Sequence, residues 1–537
     1  PWFDLLSEVF IFVSFAAIAY VLTKLYGNRL GTLAFVIVAS FIAPQALIRV
    51  QFTKTSGVVA ATALSLMAYS AFSDRRRRDL ILGIILASYA FCLRRSEFLA
   101  VGVLMFPAFV LFFLQGNEGD HRYLFSAPRK KLLSGVIIMA AFAGVLFFAD
   151  RMAYNADPVW KDYSRWNYAR SELFDYGFPD FEENREELET LGIKESAWKL
   201  LRSYNYADPE VFTLDVFEGI VALKGEKRKF SGTVVKEFLR EVPGGLMKMS
   251  GFYMSLIFFS FFLVYGRKRV LPWISVAGTL MLYGALYLYL FMTGRYLLER
   301  VDMGLFLGMS MSFLLSGAGE LGGAATGTGT GTGSGTETGS GTGTETGSVT
   351  ETGSDTGSNA GAAAETAAGS DRGGDLRDID LRTAVFAGCM VLVLCQNFTK
   401  DYWRGNTRDN KGISAGQTEK FMEMSADREH LYLCKMAYPN VQNAFEPFDI
   451  MPKDIFGNIY FLGGWQVFEP ETLKPLENYG VKNPYRDILT NEKILIVDDD
   501  IDLTMEYIHD YYDAGAQAVP AGMIGNEYQV YRIEGSS

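Results

Sequence analysis

The chain has 537 residues, enough for several domains, of which 49% are hydrophobic and 14% aromatic. Its 61 acidic and 50 basic side chains leave a net charge of −11, with no basic stripe interleaved with aromatics, which argues against nucleic acid as a partner. The four cysteines and three histidines are scattered, which excludes a disulfide framework, a CxxC zinc pattern and a histidine-rich metal site.

Apolar runs stand at 5–22, 32–48, 57–72, 80–93, 98–114, 132–148, 249–265, 271–291, 301–316 and 383–396. The longer ones match the length a helix needs to cross a bilayer, so the pattern predicts an α-helical polytopic membrane protein of about ten spans. The chain begins at Pro1 and enters an apolar run almost at once, and a first helix with its loop is expected to precede it. Lys24 and Arg29, then Arg75 to Arg78, then Arg122, Arg129, Lys130 and Lys131, then Arg267, Lys268 and Arg269 fall in alternate connections. Basic residues beside membrane helices stay on the cytoplasmic side. The division that follows is transmembrane helices 1–6 over 1–149 and an extracytoplasmic helical loop over 150–248. Helices 7–9 occupy 249–316, a Gly/Thr-rich cytoplasmic linker 317–382, helix 10 383–396, and an extracytoplasmic α/β domain 397–537.

Within the large loop, Asp208-Pro209 reads as an N-cap and first-turn proline, opening a helix toward Leu223. Ser231 opens another, with Val234, Val235, Phe238, Leu239 and Val242 on one face and Lys236, Glu237, Arg240 and Glu241 on the other. Such a helix either lies flat at the membrane surface or packs on the loop's own core. After the last apolar run, strand-like stretches at His430–Cys434, Asn458–Leu462, Ile494–Val497 and Tyr528–Ile533, with a helix over Leu503–Tyr512, predict a small α/β domain. Three of the cysteines, Cys92, Cys389 and Cys395, lie in apolar runs as small core residues, and Cys434 stands alone.

Lys493 to Asp502 looks like the opening strand of a response-regulator receiver, but only about 35 residues follow where a receiver needs roughly a hundred. Asp498, Asp499 and Asp500 are instead expected to end a strand and cap a helix, with a divalent cation as the other reading. Arg94-Arg95-Ser96-Glu97 lies between two apolar runs at the predicted outer surface, where charges are costly unless paired or lining a polar cavity. Arginine suits phosphate because its planar fork donates two parallel hydrogen bonds. The pair therefore reads either as a lipid-phosphate clamp or as an Arg–Glu pair closing a hairpin. Thr53-Lys54-Thr55 could reach the same phosphate or cap the third run. Trp160–Asp180 mixes aromatics with Asn167, Arg170 and Asp175, a combination suited to sugar faces and hydroxyls or to an interfacial aromatic belt.

Arg295-Tyr296-Leu297-Leu298, at the outer junction of the eighth and ninth runs, resembles the Arg-Tyr-Leu-Leu-Pro-like turn of GT-C superfamily glycosyltransferases, with Glu299 where the proline would stand. The resemblance implies a transferase moving a sugar from a polyprenyl-phosphate donor to an envelope glycan or lipid acceptor at the outer leaflet, with Arg295 facing the phosphate. It also implies a catalytic carboxylate in the first outer loop, near whose end Asp4 and Glu8 stand. Glu97 and Asp175 are the other carboxylate candidates, and Arg94, Arg95, Arg295, Asn167 and Arg170 the binding candidates. A lipid-linked sugar transporter and a non-catalytic envelope assembly or sensor protein are the alternatives.

Overall fold

The computed structural model describes residues 2–47, 50–70, 76–114, 127–224, 230–265, 270–318, 417–435, 454–524 and 528–536. The predicted tenth run at 383–396 with Cys389 and Cys395, the linker from 319 to 382, and the basic residues Arg75, Arg122, Arg267, Lys268 and Arg269 lie outside the described residues.

The first half is a helix bundle. α1 (Trp2–Leu47) carries two apolar runs and is broken at Gly27, whose φ of 77° is the left-handed region that suits glycine. There the chain doubles back. Phe15 meets Phe35 with ring centroids 6.5 Å apart, and a Cβ at Gly31 would fall 2.5 Å from Thr23 Cα. Twenty residues of straight helix would separate such positions by roughly 30 Å. α2 (Phe52–Ser70), α3 (Arg76–Leu93), α4 (Arg95–Leu114) and α5 (Ala127–Ala156) follow.

Four helical stretches, Phe3–Leu47, Leu133–Ala156, Val270–Met292 and Glu299–Ala318, are long and apolar enough to cross a membrane, or five if one bent pair counts as a span. The predicted count of about ten is thus reduced, among the described residues, to four or five by length and composition, although nine of the ten runs are helical. The outward surface of these helices is apolar: Phe106, Ile137, Val145, Phe148, Ile274 and Met281 are each more than half exposed. Large apolar side chains exposed in such number on neighbouring membrane-length helices fit lipid rather than water.

α5 runs on past the predicted loop boundary at 150 and hands over at Asp157, whose carboxylate caps α6 (Pro158–Tyr176) by accepting from Val159 N. Then come α7 (Arg185–Thr190), α8 (Glu195–Arg202) and α9 (Leu214–Ala222). Asp208-Pro209 does not open the helix expected of it. The helix starts at Leu214, capped by Thr213 Oγ1, and Asp208 is turned inward. α10 (Gly232–Leu246) has the predicted Ser231 cap and meets α11 (Ser250–Tyr265) at 94°. Its Val234, Val242 and Leu246 belong to the bundle's core and Phe238 lies 5.6 Å from Phe291, so the apolar face packs on the bundle and not on the loop.

α12 (Val270–Met292) and α13 (Glu299–Ala318) complete the bundle. α2 and α13 are buried along almost their whole length, because small residues let them approach closely. Gly57 and Gly304 mark the crossing: a Cβ on Gly304 would fall 2.8 Å from Gly57 Cα. Hydroxyl pairs tie the other side of α13 to its neighbours, Thr279–Ser312 at 2.8 Å and Ser275–Ser316 at 2.8 Å to α12, and Ser255–Ser310 at 3.2 Å to α11.

The C-terminal part holds α14 (Gln417–Ala426), β1 (Leu431–Cys434), β2 (Ile459–Phe461), α15 (Lys474–Asn478), α16 (Pro484–Asp487), β3 (Ile494–Val497), α17 (Ile501–Tyr511), β4 (Gln517–Ile524) and β5 (Tyr528–Glu534). The sheet order is β2-β1-β3-β5-β4, with β1, β2 and β3 parallel and β5 antiparallel to β3 and β4. The four strand-like stretches and the helix stand where the sequence places them, and β4 is the strand it does not reveal.

The loop and the C-terminal part form one body. A single core takes Trp166, Leu173, Leu200, Tyr206 and Phe217 from the loop and Leu433, Tyr460, Leu462, Ile496 and Tyr507 from the C-terminal part. Backbone joins them too, through an Asn205–Gly463 bridge and Tyr206 N donating to Leu462 O at 2.8 Å. At the centre is Asp208, fully buried. It accepts from Glu210 N (2.9 Å), Val211 N (3.3 Å), Asn483 Nδ2 (2.9 Å), Tyr507 Oη (2.7 Å) and Tyr512 Oη.

Two predictions follow from the packing. Asp208→Ala leaves the Tyr507 and Tyr512 hydroxyls without their acceptor and takes one of two acceptors from the Asn483 amide, and should cost the extramembrane body about 3 kcal/mol or more in chemical denaturation followed by tryptophan fluorescence. An unchanged midpoint would deny the carboxylate this role. Gly304→Ala should destabilise the detergent-solubilised bundle by about 1–3 kcal/mol through overpacking, whereas Gly284→Ala, with open space around it, should be neutral in the same melting experiment.

Candidate functional site

The site sits where the bundle meets the extramembrane body, and the end of α12 builds it. Gly294 (φ 74°) closes that helix in a Schellman arrangement: Arg295 N donates to Leu290 O at 2.8 Å and Gly294 N to Phe291 O at 3.1 Å. The reversal aims Arg295 at the C-terminal end of α6. Its guanidinium lies 3.0 Å from Asp175 Oδ2, donates to Tyr176 Oη at 3.2 Å, and stacks over the Tyr176 ring at 5.0 Å. Two residues on, Leu297 is held at φ 58°, a conformation that costs a branched side chain about 1–3 kcal/mol. Its N–H donates to Tyr287 Oη at 3.2 Å, and Tyr287 Oη in turn donates to Asp302 Oδ1 at 2.8 Å. The strained turn is thereby tied to a buried carboxylate.

Arg94, between α3 and α4, reaches the same place from the other side. It donates to Thr53 Oγ1 at 2.5 Å and lies over the Phe52 ring at 5.4 Å. Burial lowers its pKa from the ordinary value; Glu97 and Asp175 oppose that shift, while Arg300 and Arg295 add to it. Arg94 is therefore within electrostatic reach of both Arg295 and Asp175. Beneath the arginines are two carboxyls that the bundle buries, Glu97 and Asp302, each 2% exposed. Glu97 Oε1 lies at the Gly57–Gly304 crossing. Glu97 Oε1 and Asp302 Oδ2 have no hydrogen-bond partner among the described residues. Orphaned carboxyl oxygens in a helix bundle are expensive, and such groups mark functional positions more often than structural ones.

The structure brings together Arg94, Arg295, Glu97 and Asp175 of the sequence candidates, and Thr53 with them. It leaves the others elsewhere. Arg95 points outward along α5, 3.5 Å from Asp150 and over Phe147 at 5.0 Å, because residues 94 and 95 straddle a helix break and leave it on opposite sides. Asn167 and Arg170 hydrogen-bond to each other at 2.8 Å across one turn of α6, with Arg170 over Phe174, so they serve that helix and its packing. Asp4 and Glu8 are half-buried in the first turns of α1 and make no hydrogen bond or ion pair with the arginines among the described residues. Asp302 and Arg300 are the members that sequence reasoning missed. The signal was present: Asp302 stands at the start of the apolar run 301–316, seven residues beyond Arg295 in the turn already singled out.

At Asp498–Asp500, where a divalent cation is the alternative reading, the chain's own ammonium group stands beside the carboxylates. Lys435 Nζ lies 3.1 Å from Asp498 Oδ1 and 3.5 Å from Asp499 Oδ1, while Thr504 Oγ1 donates to Asp498 Oδ2 at 2.6 Å. Asp500 stands at the N-cap of α17 but makes no side-chain cap bond, and Asp498 accepts from Asp500 N at 2.8 Å in the turn just ahead of the helix. Among the described residues no group of three histidine, cysteine or acidic side chains is arranged to hold a metal ion.

Comparison of the chain with protein-family models, with curated proteins and with solved structures finds no match.

Proposed function

We propose that the chain is a membrane glycosyltransferase that moves a sugar from a polyprenyl-phosphate donor to a cell-envelope acceptor at the outer leaflet. In this reading the ten apolar runs cross the membrane, and the extramembrane body and its arginine site face outward. The observation that carries it is the Arg295–Asp175 pair at 3.0 Å at the end of the bundle, with Arg94 within electrostatic reach of both and two carboxyls buried nearby. An acceptor oxygen attacks the anomeric carbon, the bond from that carbon to the phosphate oxygen breaks, and polyprenyl phosphate leaves with the bonding pair. Arg94 and Arg295 stabilise the charge gathering on the phosphate, an electrostatic contribution that grows toward the transition state. The acceptor's proton goes to a carboxylate. Asp175 suits that role, being part-exposed and 3.0 Å from Arg295, so base and phosphate clamp would be adjacent.

One observation favours a second reading, transport of a lipid-linked sugar. Unpartnered carboxyls inside a bundle, such as Glu97 and Asp302, are the groups that ion- and proton-coupled pathways use. Proteoliposomes separate the two, because a transferase produces a new glycosidic bond and a transporter only relocates its lipid. With a polyprenyl-phosphate sugar donor, Arg94→Ala and Arg295→Ala should each lower transfer at least about 100-fold. Arg95→Ala, which disturbs only a surface pair with Asp150, should stay within about threefold. Full transfer by correctly inserted Arg94→Ala and Arg295→Ala would overturn the transferase reading.

A further inference from the structure

The extramembrane body carries a second feature that shares no residue with the arginine site. At the N-terminal ends of β1 and β3 lies an open cleft of about 840 Å³, lined by Arg428, His430, Tyr479, Glu492, Lys493 and Arg532 among others. That volume is in the range of small-molecule sites. Its charge is out of keeping with the rest of the molecule. In a chain of net charge −11, Arg428, Lys493 and Arg532 converge here, and none has a carboxylate partner within ion-pairing distance among the described residues. Arg532 Nε is buried with no acceptor among the described residues. Arg428 gives one hydrogen bond to Asp454 O at 3.3 Å, and three cations against the lining carboxylates Glu429 and Glu492 leave the cleft net positive in an acidic chain, which suits an anion.

The lining also restricts what the anion can be. It is polar, so a lipid tail has nothing to pack on. Glu429 and Glu492 stand beside the cations as acceptors for hydroxyl groups, and Asn478 adds an amide. The tyrosine ring is fixed in place, because Tyr479 Oη donates to Arg428 O at 2.9 Å, and it offers a face on which a sugar ring can lie. His430 is held by Asp427 at 2.8 Å, and Tyr432 Oη donates to the same carboxylate at 2.7 Å. Burial pushes the Asp427 carboxyl up, but the hydrogen bonds from Tyr432, His430 and the Glu429 backbone outweigh it and hold the pKa below the ordinary value. The floor of the cleft is thus set before any ligand arrives. A small inorganic anion would use the cations and leave the carboxylates, amide and ring idle.

We propose that this cleft binds an acidic saccharide, its carboxylate or phosphate held by Lys493 and Arg532 and its hydroxyls by the neighbouring acidic and amide side chains. The binding stands apart from the transfer chemistry and is measured without it. Full-length protein in detergent is titrated calorimetrically with a glucuronate-containing disaccharide, with the neutral disaccharide of the same linkage, and with inorganic phosphate. The acidic disaccharide should bind at least about tenfold more tightly than either comparison, and Lys493→Gln and Arg532→Gln should each weaken it by about tenfold, the loss of one charge-assisted hydrogen bond. Arg532→Lys should recover part of that loss, and Arg95→Ala, which disturbs only the surface pair with Asp150, should bind as the parent does. Equal affinity for the neutral sugar or for phosphate, no binding of the acidic one, or full affinity in both glutamine variants with unchanged melting temperature would each overturn the assignment.

Discussion

A carboxylate removed from water must be given donors, and Asp208 is given five, drawn from three stretches of chain that lie far apart in sequence. Two are local amides. The others, from Asn483, Tyr507 and Tyr512, come nearly three hundred residues later. Asn483 also caps α16 by accepting from Tyr485 N and Arg486 N, so one side chain fixes both a helix start and the seam. Removing any member leaves a buried polar group uncompensated, which makes the node all-or-none in character. Around it the seam tolerates strain: Tyr204 and Phe468, on opposite sides, both hold φ at 65°, and Phe468 packs 4.9 Å from Trp166.

The node matters to the candidate site because α6 is common to both. The core against Trp166 and Leu173 fixes the helix, and its C-terminal end then delivers Asp175 and Tyr176 to Arg295. From below, the glycine crossing of α2 and α13 lets the Glu97 carboxyl lie between helices that bulkier residues would hold apart. The arginine site is therefore a joint between two differently built halves, a bundle packed through small residues and hydroxyls and a body packed through aromatics. A shift of either half changes the distance from Arg295 to Asp175.

Much of this was legible locally. Apolar runs became helices because run length and helix rise are commensurate, and strand positions followed from clusters of β-branched and aromatic residues. What stayed hidden depends on long-range pairing. Asp208-Pro209 has the local chemistry of a helix start, and only the distant Tyr507 and Tyr512 explain why it is a buried node. Arg94 and Arg95 are indistinguishable in sequence, yet the helix break between them sends one to Thr53 and the other to Asp150. β4, reading Gln517 to Ile524 with Pro520 and Gly522 inside it, resembles a loop. It is an edge strand with a bulge, where a proline and a glycine are tolerated.

The shared core also bears on how the chain is threaded. Residues before 224 and residues after 417 bury their side chains in one another, so both stretches occupy the same face of any membrane the bundle enters. Separating them onto opposite faces would require tearing Tyr206 and Phe217 out of the core they share with Tyr460 and Tyr507.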